Sequence, residues 1–309
     1  MPFNLGTLKL TDDAVQSCAE GSECRSFKVD CPGVASSAPG AYRRLPHFGA
    51  ARGLAVFFSG GPGTAWWGGS SASVGSFFDG LRADGIDVVE IKWGDGGWLE
   101  SSPGERVGPA RLACRPATAV KWVHDNLYLP LGVEAGPQQC GFCITGNSGG
   151  ASQVAFALSD YGLDPIVDGA FPTSGPPHSA LAKACLRRPG EEQYWYEPDE
   201  GARVIDRSYG FTDAEGPCVD HDPSWASVWQ QDSVDTGGTD YGHPSTRVHV
   251  IVGASDRDPR MHAHAADYLA RLQAAGTDAT MEVVGTMGHD ITESPEGLGA
   301  LRAGLLYRP

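Results

Sequence analysis

The sequence of 309 residues lacks any run of basic side chains. Lys and Arg number 23 against 38 Asp and Glu, which gives a formal net charge of −15, and neighbouring basic residues occur only in pairs such as Arg187 and Arg188. Nucleic-acid binding depends on clustered positive charge that neutralises phosphates. The composition therefore excludes nucleic acid as an expected partner, and it disfavours an anionic membrane surface for the same reason.

Long apolar runs are also missing. No stretch approaches the roughly 20 apolar residues of a membrane-spanning helix, so no transmembrane segment is predicted. The opening stretch MPFNLGTLKLTDD lacks the basic end and apolar core of a signal peptide. No linker, low-complexity segment or internal repeat divides the chain, and residues 1–309 are therefore expected to form a single domain.

Cysteine, by contrast, is abundant. The eight residues are Cys18, Cys24, Cys31, Cys114, Cys140, Cys143, Cys185 and Cys218. An even and generous count is typical of exported proteins that oxidise, so we expect a secreted or extracytoplasmic protein whose signal peptide is absent from this sequence. The spacing leaves the pairing open, although Cys185 and Cys218 are one candidate pair. Cys140 and Cys143 form a CxxC in a strand-like segment with no second CxxC to complete a zinc site, which favours a structural or disulfide role.

Strand and helix patterns alternate along most of the chain. Strand patterns cover 24–33, 42–48, 54–58, 86–93, 140–145, 165–175, 247–256 and 279–285, and helix patterns cover 73–85, 113–128, 150–162, 262–276 and 296–307. This alternation predicts the α/β class, with a mostly parallel central sheet and helices on both faces. Residues 1–50 form a cysteine-rich N-terminal segment. Residues 176–244 break the pattern and are predicted to be an insertion or cap over one edge of the sheet.

One serine lies where a parallel sheet carries its chemistry. Ser148 stands within GNSGG, residues 146–150, after an apolar strand pattern and before a helix pattern. G-x-S-x-G in this context predicts a nucleophile elbow, a sharp turn that presents the serine oxygen outward while glycines let backbone segments pass closely. A plain turn in a glycine-rich chain is the alternative, and the strand-to-helix context disfavours it.

A catalytic serine needs a histidine to take its proton and an acid to orient that histidine. Asp256 ends the strand pattern VHVIVGASD, and His289 follows the strand pattern MEVVG. Both are expected at carboxyl ends of strands, on the same rim as Ser148, and of the nine histidines only His289 has this position. Asp258 is the alternative acid.

A glycine-rich loop follows the strand pattern at 54–58. Backbone amides that point at a developing oxyanion stabilise acyl transfer, and Gly61 in this loop is predicted to supply one such donor. Gly149, next to the serine, is predicted to supply the second. Trp66 and Trp67 follow in the same loop and are candidate substrate-binding residues, with packing beneath the insertion as the alternative.

Together these motifs resemble the α/β-hydrolase superfamily over residues 50–309. The resemblance is carried by SGGPG (59–63), GNSGG (146–150), GASD (253–256) and GH (288–289). It implies an eight-stranded, mostly parallel sheet and a Ser148, His289 and Asp256 triad, with no metal or organic cofactor. SGGPG is similar to the HGGPG loop of the proline iminopeptidase branch, with Ser59 in place of the histidine, whereas GASDRDP and MGHD are closer to esterase and lipase branches.

The expected activity is hydrolysis of a small-molecule or polymeric carboxylic ester, polyesters included. Two alternatives stay open. A serine aminopeptidase would use the acidic segment 194–203 to hold the substrate amino group, and a binding protein would keep the fold without the chemistry. No feature of the sequence specifies an oligomeric state.

Overall fold

Nine strands form one continuous sheet in the computed structural model, which describes residues 1–18, 21–69, 71–133, 140–196, 199–212, 216–256 and 259–306. The strands are β1 (Thr7–Thr11), β2 (Glu23–Asp30), β3 (Ala38–Leu45), β4 (Gly53–Phe58), β5 (Ile86–Trp93), β6 (Phe142–Asn147), β7 (Gly169–Thr173), β8 (Arg247–Gly253) and β9 (Ala279–Val284). Their order across the sheet is β1-β2-β3-β5-β4-β6-β7-β8-β9.

Six adjacent strands run parallel, namely β5, β4, β6, β7, β8 and β9. At one edge, β3, β2 and β1 extend the sheet with antiparallel pairing. Every residue of β4 and β6 is buried, as expected where helices cover both faces of a parallel sheet. In register, Val56 of β4 lies between Val89 of β5 and Ile144 of β6. The predicted α/β class with a mostly parallel sheet is confirmed.

Helices cover both faces of the sheet. They are α1 (Ala72–Ala83), α2 (Pro109–Leu112), α3 (Cys114–Val123), α4 (Gly149–Ser159), α5 (Leu181–Leu186), α6 (Glu200–Ser208), α7 (Ala226–Asp232), α8 (Val234–Gly237), α9 (Pro259–Ala274) and α10 (Pro295–Leu305). The apolar sides of α1 and α10 share one core cluster, whereas those of α3, α4 and α9 share the cluster on the opposite face. No helix of the described residues is both long enough and apolar enough to cross a bilayer.

The sheet has one strand more than the resemblance implied. The added strand β1 was not predicted from the sequence because it is short and mostly solvent-accessible, and Leu10 within it is exposed. Its pairing with β2 and a hydrogen bond from the Gly6 amide to Thr118 Oγ1 of α3 (2.8 Å) hold the N-terminal stretch in place. The cysteine-rich segment therefore contributes three strands to the sheet edge.

The segment 176–244 lies between β7 and β8 and contains α5, α6, α7 and α8. It has a small core cluster of its own, in which Trp229 and Ile205 are fully buried. Cys185 and Cys218 form a disulfide inside this cluster, which confirms the candidate pair.

The other six cysteines are paired as well. The disulfides are Cys18–Cys24, Cys31–Cys114 and Cys140–Cys143. The CxxC is thus oxidised at the start of β6, which agrees with its predicted disulfide role. Cys31–Cys114 joins the end of β2 to the start of α3 across 83 residues of sequence, so this bond ties the antiparallel edge to the helical layer.

We expect removal of the long-range disulfide to cost more stability than removal of the short one. By loop-closure entropy, Cys31→Ser with Cys114→Ser should lower the free energy of unfolding by about 4.5 kcal/mol, and Cys18→Ser with Cys24→Ser by about 2 kcal/mol. Urea denaturation of both double variants beside wild type measures the difference. Equal losses would show that the disulfides do not act through loop length.

Candidate active site

Ser148 lies in a strained turn between β6 and α4. Its φ is 53°, in the left-handed region, and its amide donates a hydrogen bond to the Thr173 carbonyl (2.8 Å). Such backbone conformations cost of order 1–3 kcal/mol and persist where the surrounding structure enforces them. Gly150 is part of that enforcement, because a Cβ there would lie 2.2 Å from the Phe58 carbonyl oxygen. Gly146 is equally constrained, since its Cβ would lie 2.4 Å from the Gly150 carbonyl carbon.

The two glycines predicted to bind an oxyanion lie against each other. A Cβ on Gly149 would stand 2.2 Å from the Gly61 carbonyl oxygen and 2.9 Å from the Gly61 nitrogen. Gly61 has φ 57°, which favours glycine. Neither amide donates a hydrogen bond to another described residue, and both residues line the same cavity as Ser148. Two amides are therefore available beside the serine.

Internal hydrogen bonds fix the loop that carries Gly61. The Ser59 hydroxyl, which stands where the resembling motif has a histidine, donates to the Ala65 carbonyl (2.7 Å). The Gly63 amide donates to the Gly60 carbonyl (3.1 Å), and the Gly63 carbonyl accepts from the Trp93 amide (2.8 Å). Ser59 thus holds the loop at its base.

Asp256 and His289 meet at the ends of β8 and β9. Asp256 Oδ2 lies 3.1 Å from His289 Nδ1. The Asp256 side chain is fully buried, and the imidazole is 41% exposed. The Ser255 amide donates a hydrogen bond to the Met287 carbonyl (3.0 Å), and this bond joins the two loops. The alternative acid, Asp258, lies outside the described residues. Ser148 and His289 line the same two cavities, so the structure brings all three predicted residues to one rim.

Asn147 was missed by sequence reasoning. Its Oδ1 accepts hydrogen bonds from Thr173 Oγ1 (3.0 Å) and from the Ile291 amide (3.4 Å). It therefore connects the serine turn both to β7 and to the loop that carries His289. Its place immediately before Ser148, at the last position of a strand, is the signal that could have identified it.

Two cavities open at Ser148 and His289. The insertion-side cavity, of about 250 Å³, is walled by Leu99, Trp195, Tyr196, Val204 and Met261. The histidine-side cavity, of about 640 Å³, is walled by the loop at 59–69 and by Asp290, Thr292 and Glu293. Segment 176–244 contributes Trp195, Tyr196, Glu200 and Val204 to this wall, so the insertion borders the candidate site.

Trp66 and Trp67 line the histidine-side cavity with little exposed area. They are 7% and 5% exposed. The Trp67 ring packs on Phe57 of β4 (4.9 Å between centroids) and on Phe78 of α1 (5.7 Å). The structure therefore places Trp67 in the core against β4 and α1 as well as in the cavity wall, whereas the alternative drawn from the sequence placed it beneath the insertion.

A buried ion pair supports the same wall. The Arg43 guanidinium of β3 lies 2.5 Å from Glu90 Oε2 of β5, and it stacks over the Trp66 ring at 4.9 Å. Glu90 Oε1 accepts the Gly68 amide (2.9 Å). Burial raises the pKa of Glu90, and Arg43 opposes that shift by favouring the carboxylate. A buried pair with hydrogen bonds to both partners holds its surroundings in a fixed geometry.

Two buried histidines support the insertion-side wall. The His264 ring stacks on Tyr196 (5.9 Å), and its Nδ1 accepts the Ala180 amide (3.2 Å) while its Nε2 bonds the Tyr194 carbonyl (3.2 Å). This pattern requires the neutral tautomer with a proton on Nε2. Burial lowers the pKa of His264 to about 4 and the pKa of His178, which lines the cavity, to about 3.

The fold has counterparts among solved structures of hydrolases. The acylaminoacyl peptidase of Pyrococcus horikoshii gives a TM-score of 0.55 at 13% identity over 93% of this chain and 40% of the peptidase. An esterase of Pyrobaculum calidifontis gives 0.52 at 18% identity, covering 91% and 85%. Brefeldin A esterase, a bacterial homologue of human hormone-sensitive lipase, gives 0.56 at 16% identity, covering 95% and 78%. The chain thus has the α/β-hydrolase fold, and it spans less than half of the peptidase.

No protein-family model and no curated protein sequence matches the chain. Within the described ranges, no group of three or more His, Cys, Asp or Glu side chains is placed to hold a metal ion.

Because the pKa of His264 is lowered in the folded protein, the free energy of unfolding should decrease as the pH falls. The unfolded histidine titrates near 6.5, so below that pH the unfolded chain binds more protons and the free energy of unfolding falls. His264→Gln should make the loss between pH 7.5 and pH 5.0 smaller than in wild type by about 2 kcal/mol. Urea denaturation at both pH values measures it. Identical losses in the two proteins would show that His264 does not resist protonation.

Proposed function

We propose that this protein is a serine hydrolase that cleaves carboxylic esters through an acyl-enzyme intermediate. The observation that carries the proposal is the 3.1 Å contact between Asp256 and His289 at the cavity shared with Ser148. A serine on a strained turn, beside a histidine oriented by a buried carboxylate, is the arrangement that acyl transfer requires.

In the proposed mechanism, Ser148 Oγ attacks the ester carbonyl carbon as His289 takes its proton. Asp256 holds the imidazole in the tautomer that leaves the other ring nitrogen free to accept that proton. The amides of Gly61 and Gly149 stabilise the oxyanion, a donor of this kind contributing about 3 kcal/mol. His289 then protonates the departing alcohol, and water repeats the sequence to release the acid. No metal or organic cofactor enters these steps.

Charge pairing in the insertion favours an ester over an aminoacyl substrate. An aminopeptidase needs carboxylates that are free to bind the substrate ammonium group. In segment 194–203, Asp199 is paired with Arg187, and Glu200, which lines the insertion-side cavity, lies 3.8 Å from both Arg203 and Arg207. Glu197 lies outside the described residues. The acidic segment thus has cationic partners of its own chain.

Backbone strain favours an enzyme over a non-catalytic binding protein. The positive φ of Ser148 and the close backbone contacts at Gly146 and Gly150, which leave no room for a Cβ, cost conformational free energy. Packing alone does not require that cost.

Four disulfides are typical of proteins that fold in oxidising compartments, and we accordingly propose an extracytoplasmic location.

Replacing the nucleophile should abolish ester hydrolysis. Wild type should hydrolyse p-nitrophenyl esters in a series from acetate to palmitate, and Ser148→Ala should lower kcat by at least about 10³-fold. Aminoacyl nitroanilides measured in parallel should be turned over more slowly than the esters. Full esterase activity in Ser148→Ala would refute the mechanism, and faster turnover of the aminoacyl amides would assign the protein to the peptidases.

The two candidate acids can be separated directly. Asp256→Asn should lower kcat by about 10⁴-fold, because an asparagine at this position stabilises the wrong imidazole tautomer. Asp258→Asn is the matched control and should retain most of the activity. The measurement is kcat on p-nitrophenyl butyrate with both variants. The opposite ranking would make Asp258 the orienting acid.

A further inference from the structure

A second histidine, His178, lines the insertion-side cavity together with Ser148 and His289. The proposed mechanism gives it no role. The residue is only 5% exposed, and no hydrogen bond joins either of its ring nitrogens to another described residue. Buried polar groups in folded proteins nearly always have a partner, so an exception calls for an explanation. An unpartnered imidazole in the wall of a cavity is explained by a ligand that supplies the missing hydrogen bond.

The His178 ring is held in one place by its surroundings. Its backbone amide donates to Ser152 Oγ (3.2 Å). The ring packs against the fully buried rings of Trp98 (5.8 Å between centroids) and Phe156 (6.3 Å). Ser152 and Phe156 belong to α4, the helix that begins directly after Ser148. The imidazole is therefore fixed relative to the proposed nucleophile, and a group fixed in advance loses little entropy when a ligand binds.

The two ring nitrogens of His178 differ in their access to the cavity. Only Nδ1 is fully enclosed, so Nε2 is the nitrogen that can meet a ligand. Burial, with a smaller contribution from His264, lowers the pKa of His178 to about 3, and the neutral ring carries one proton. Enclosed N–H groups without a partner are rarer in proteins than enclosed acceptors, which favours the proton on Nε2. His178 thus presents an uncharged hydrogen-bond donor.

The other polar side chains of this cavity, apart from the proposed catalytic ones, are occupied or enclosed. The Tyr196 hydroxyl donates to the Pro177 carbonyl (2.8 Å). The Trp195 indole nitrogen is fully enclosed. Glu200 is exposed and has two arginines at 3.8 Å. Among the described residues that line the cavity, His178 is therefore the polar side chain left to bind an uncharged group.

We propose that the insertion-side cavity binds a second, uncharged carbonyl group of the substrate, and that His178 Nε2 donates the hydrogen bond that selects it. The proposal rests on the proposed esterase function and specifies its substrate class as diesters and oligoesters, in which ester carbonyls recur along the chain. A carbonyl oxygen accepts and does not donate, so it matches a lone donor. A carboxylate would lose its hydration beside a ring that carries no compensating charge.

The carbonyl preference is tested with pairs of esters of equal chain length. One series places the second carbonyl in the acid half: p-nitrophenyl esters of monomethyl succinate, glutarate and adipate, beside the hexanoate, heptanoate and octanoate. The other places it in the alcohol half: butyrates of methyl 3-hydroxypropionate, 4-hydroxybutyrate and 5-hydroxyvalerate, beside pentyl, hexyl and heptyl butyrate. Release of nitrophenol or butyrate gives kcat/KM, which is divided by the rate of alkaline hydrolysis of the same bond.

In wild type, at least one ester with a second carbonyl should exceed its alkyl partner by at least about threefold, the effect of one net hydrogen bond. The chain length at which this occurs reports the distance from the scissile bond to His178. For the acid-half series, the free hemisuccinate ester should fall below the hexanoate, because its carboxylate is charged. Absence of any preference in both series, or a hemisuccinate faster than its methyl ester, would overturn the proposal.

Removing the donor should remove the preference. His178→Leu should lower the ratio of the preferred ester to its alkyl partner by at least about tenfold, because the carbonyl would then lie in the cavity without a partner. His178→Gln keeps an N–H donor and should retain a ratio within about threefold of wild type.

His243→Leu is the matched control for loss of a buried histidine. The His243 ring is also buried without a hydrogen-bond partner among the described residues, and it lines neither cavity. Its replacement should leave the ratio unchanged. An unchanged ratio in folded His178→Leu, or an equal fall in His243→Leu, would contradict the role of His178. The wild-type comparison decides the carbonyl preference even where a variant does not fold.

The outcomes separate this inference from the proposed function. Ester turnover that disappears in Ser148→Ala but shows no preference for a second carbonyl would overturn the role of His178 and leave the esterase standing. Turnover that persists in Ser148→Ala, or no turnover of any ester by folded wild type, would overturn both.

Discussion

The close backbone approach between the serine turn and the end of β4 is the constraint on which the rest of the site depends. The turn at Ser148 runs so close to the end of β4 that a Cβ on Gly150 would lie 2.2 Å from the Phe58 carbonyl oxygen. The same approach brings Gly149 against Gly61. Because β4 and β6 are neighbours in the sheet, their loops have to share this space. Glycine is the residue that permits it.

This constraint explains why the serine has a left-handed backbone. Ser148 has a φ of 53° and lines both cavities. Residues outside the turn keep the geometry, with Asn147 bonded to the Ile291 amide and Thr173 accepting the Ser148 amide. Contacts from β7 and from the histidine loop thus offset the strain at the serine.

The sequence predicted the parts of the site that depend on local pattern. Glycine spacing around Ser148 and the strand ends before Asp256 and His289 are local signals, and the structure places these residues on one rim. Contacts between distant segments could not be predicted from the sequence. Asn147 and Arg43 act through partners far away in the chain, and local residue spacing does not identify such partners. The fold shows the same division. Buried strands such as β4 have continuous apolar runs and were predicted, whereas β1 is short and accessible, and its pairing with β2 identifies it only in three dimensions.

The cysteine-rich edge and the candidate site are mechanically connected. Arg43 belongs to β3, one of the three antiparallel strands, yet its guanidinium pairs with Glu90 and covers Trp66 at the histidine-side cavity. Glu90 in turn fixes the Gly68 amide within the loop that carries Gly61. Breaking a buried pair of this kind leaves an uncompensated charge, which is why such pairs hold their geometry strictly. Cys31–Cys114 then ties the same edge to α3. The N-terminal segment, which resembles no family pattern, therefore supports the wall of the histidine-side cavity through Arg43.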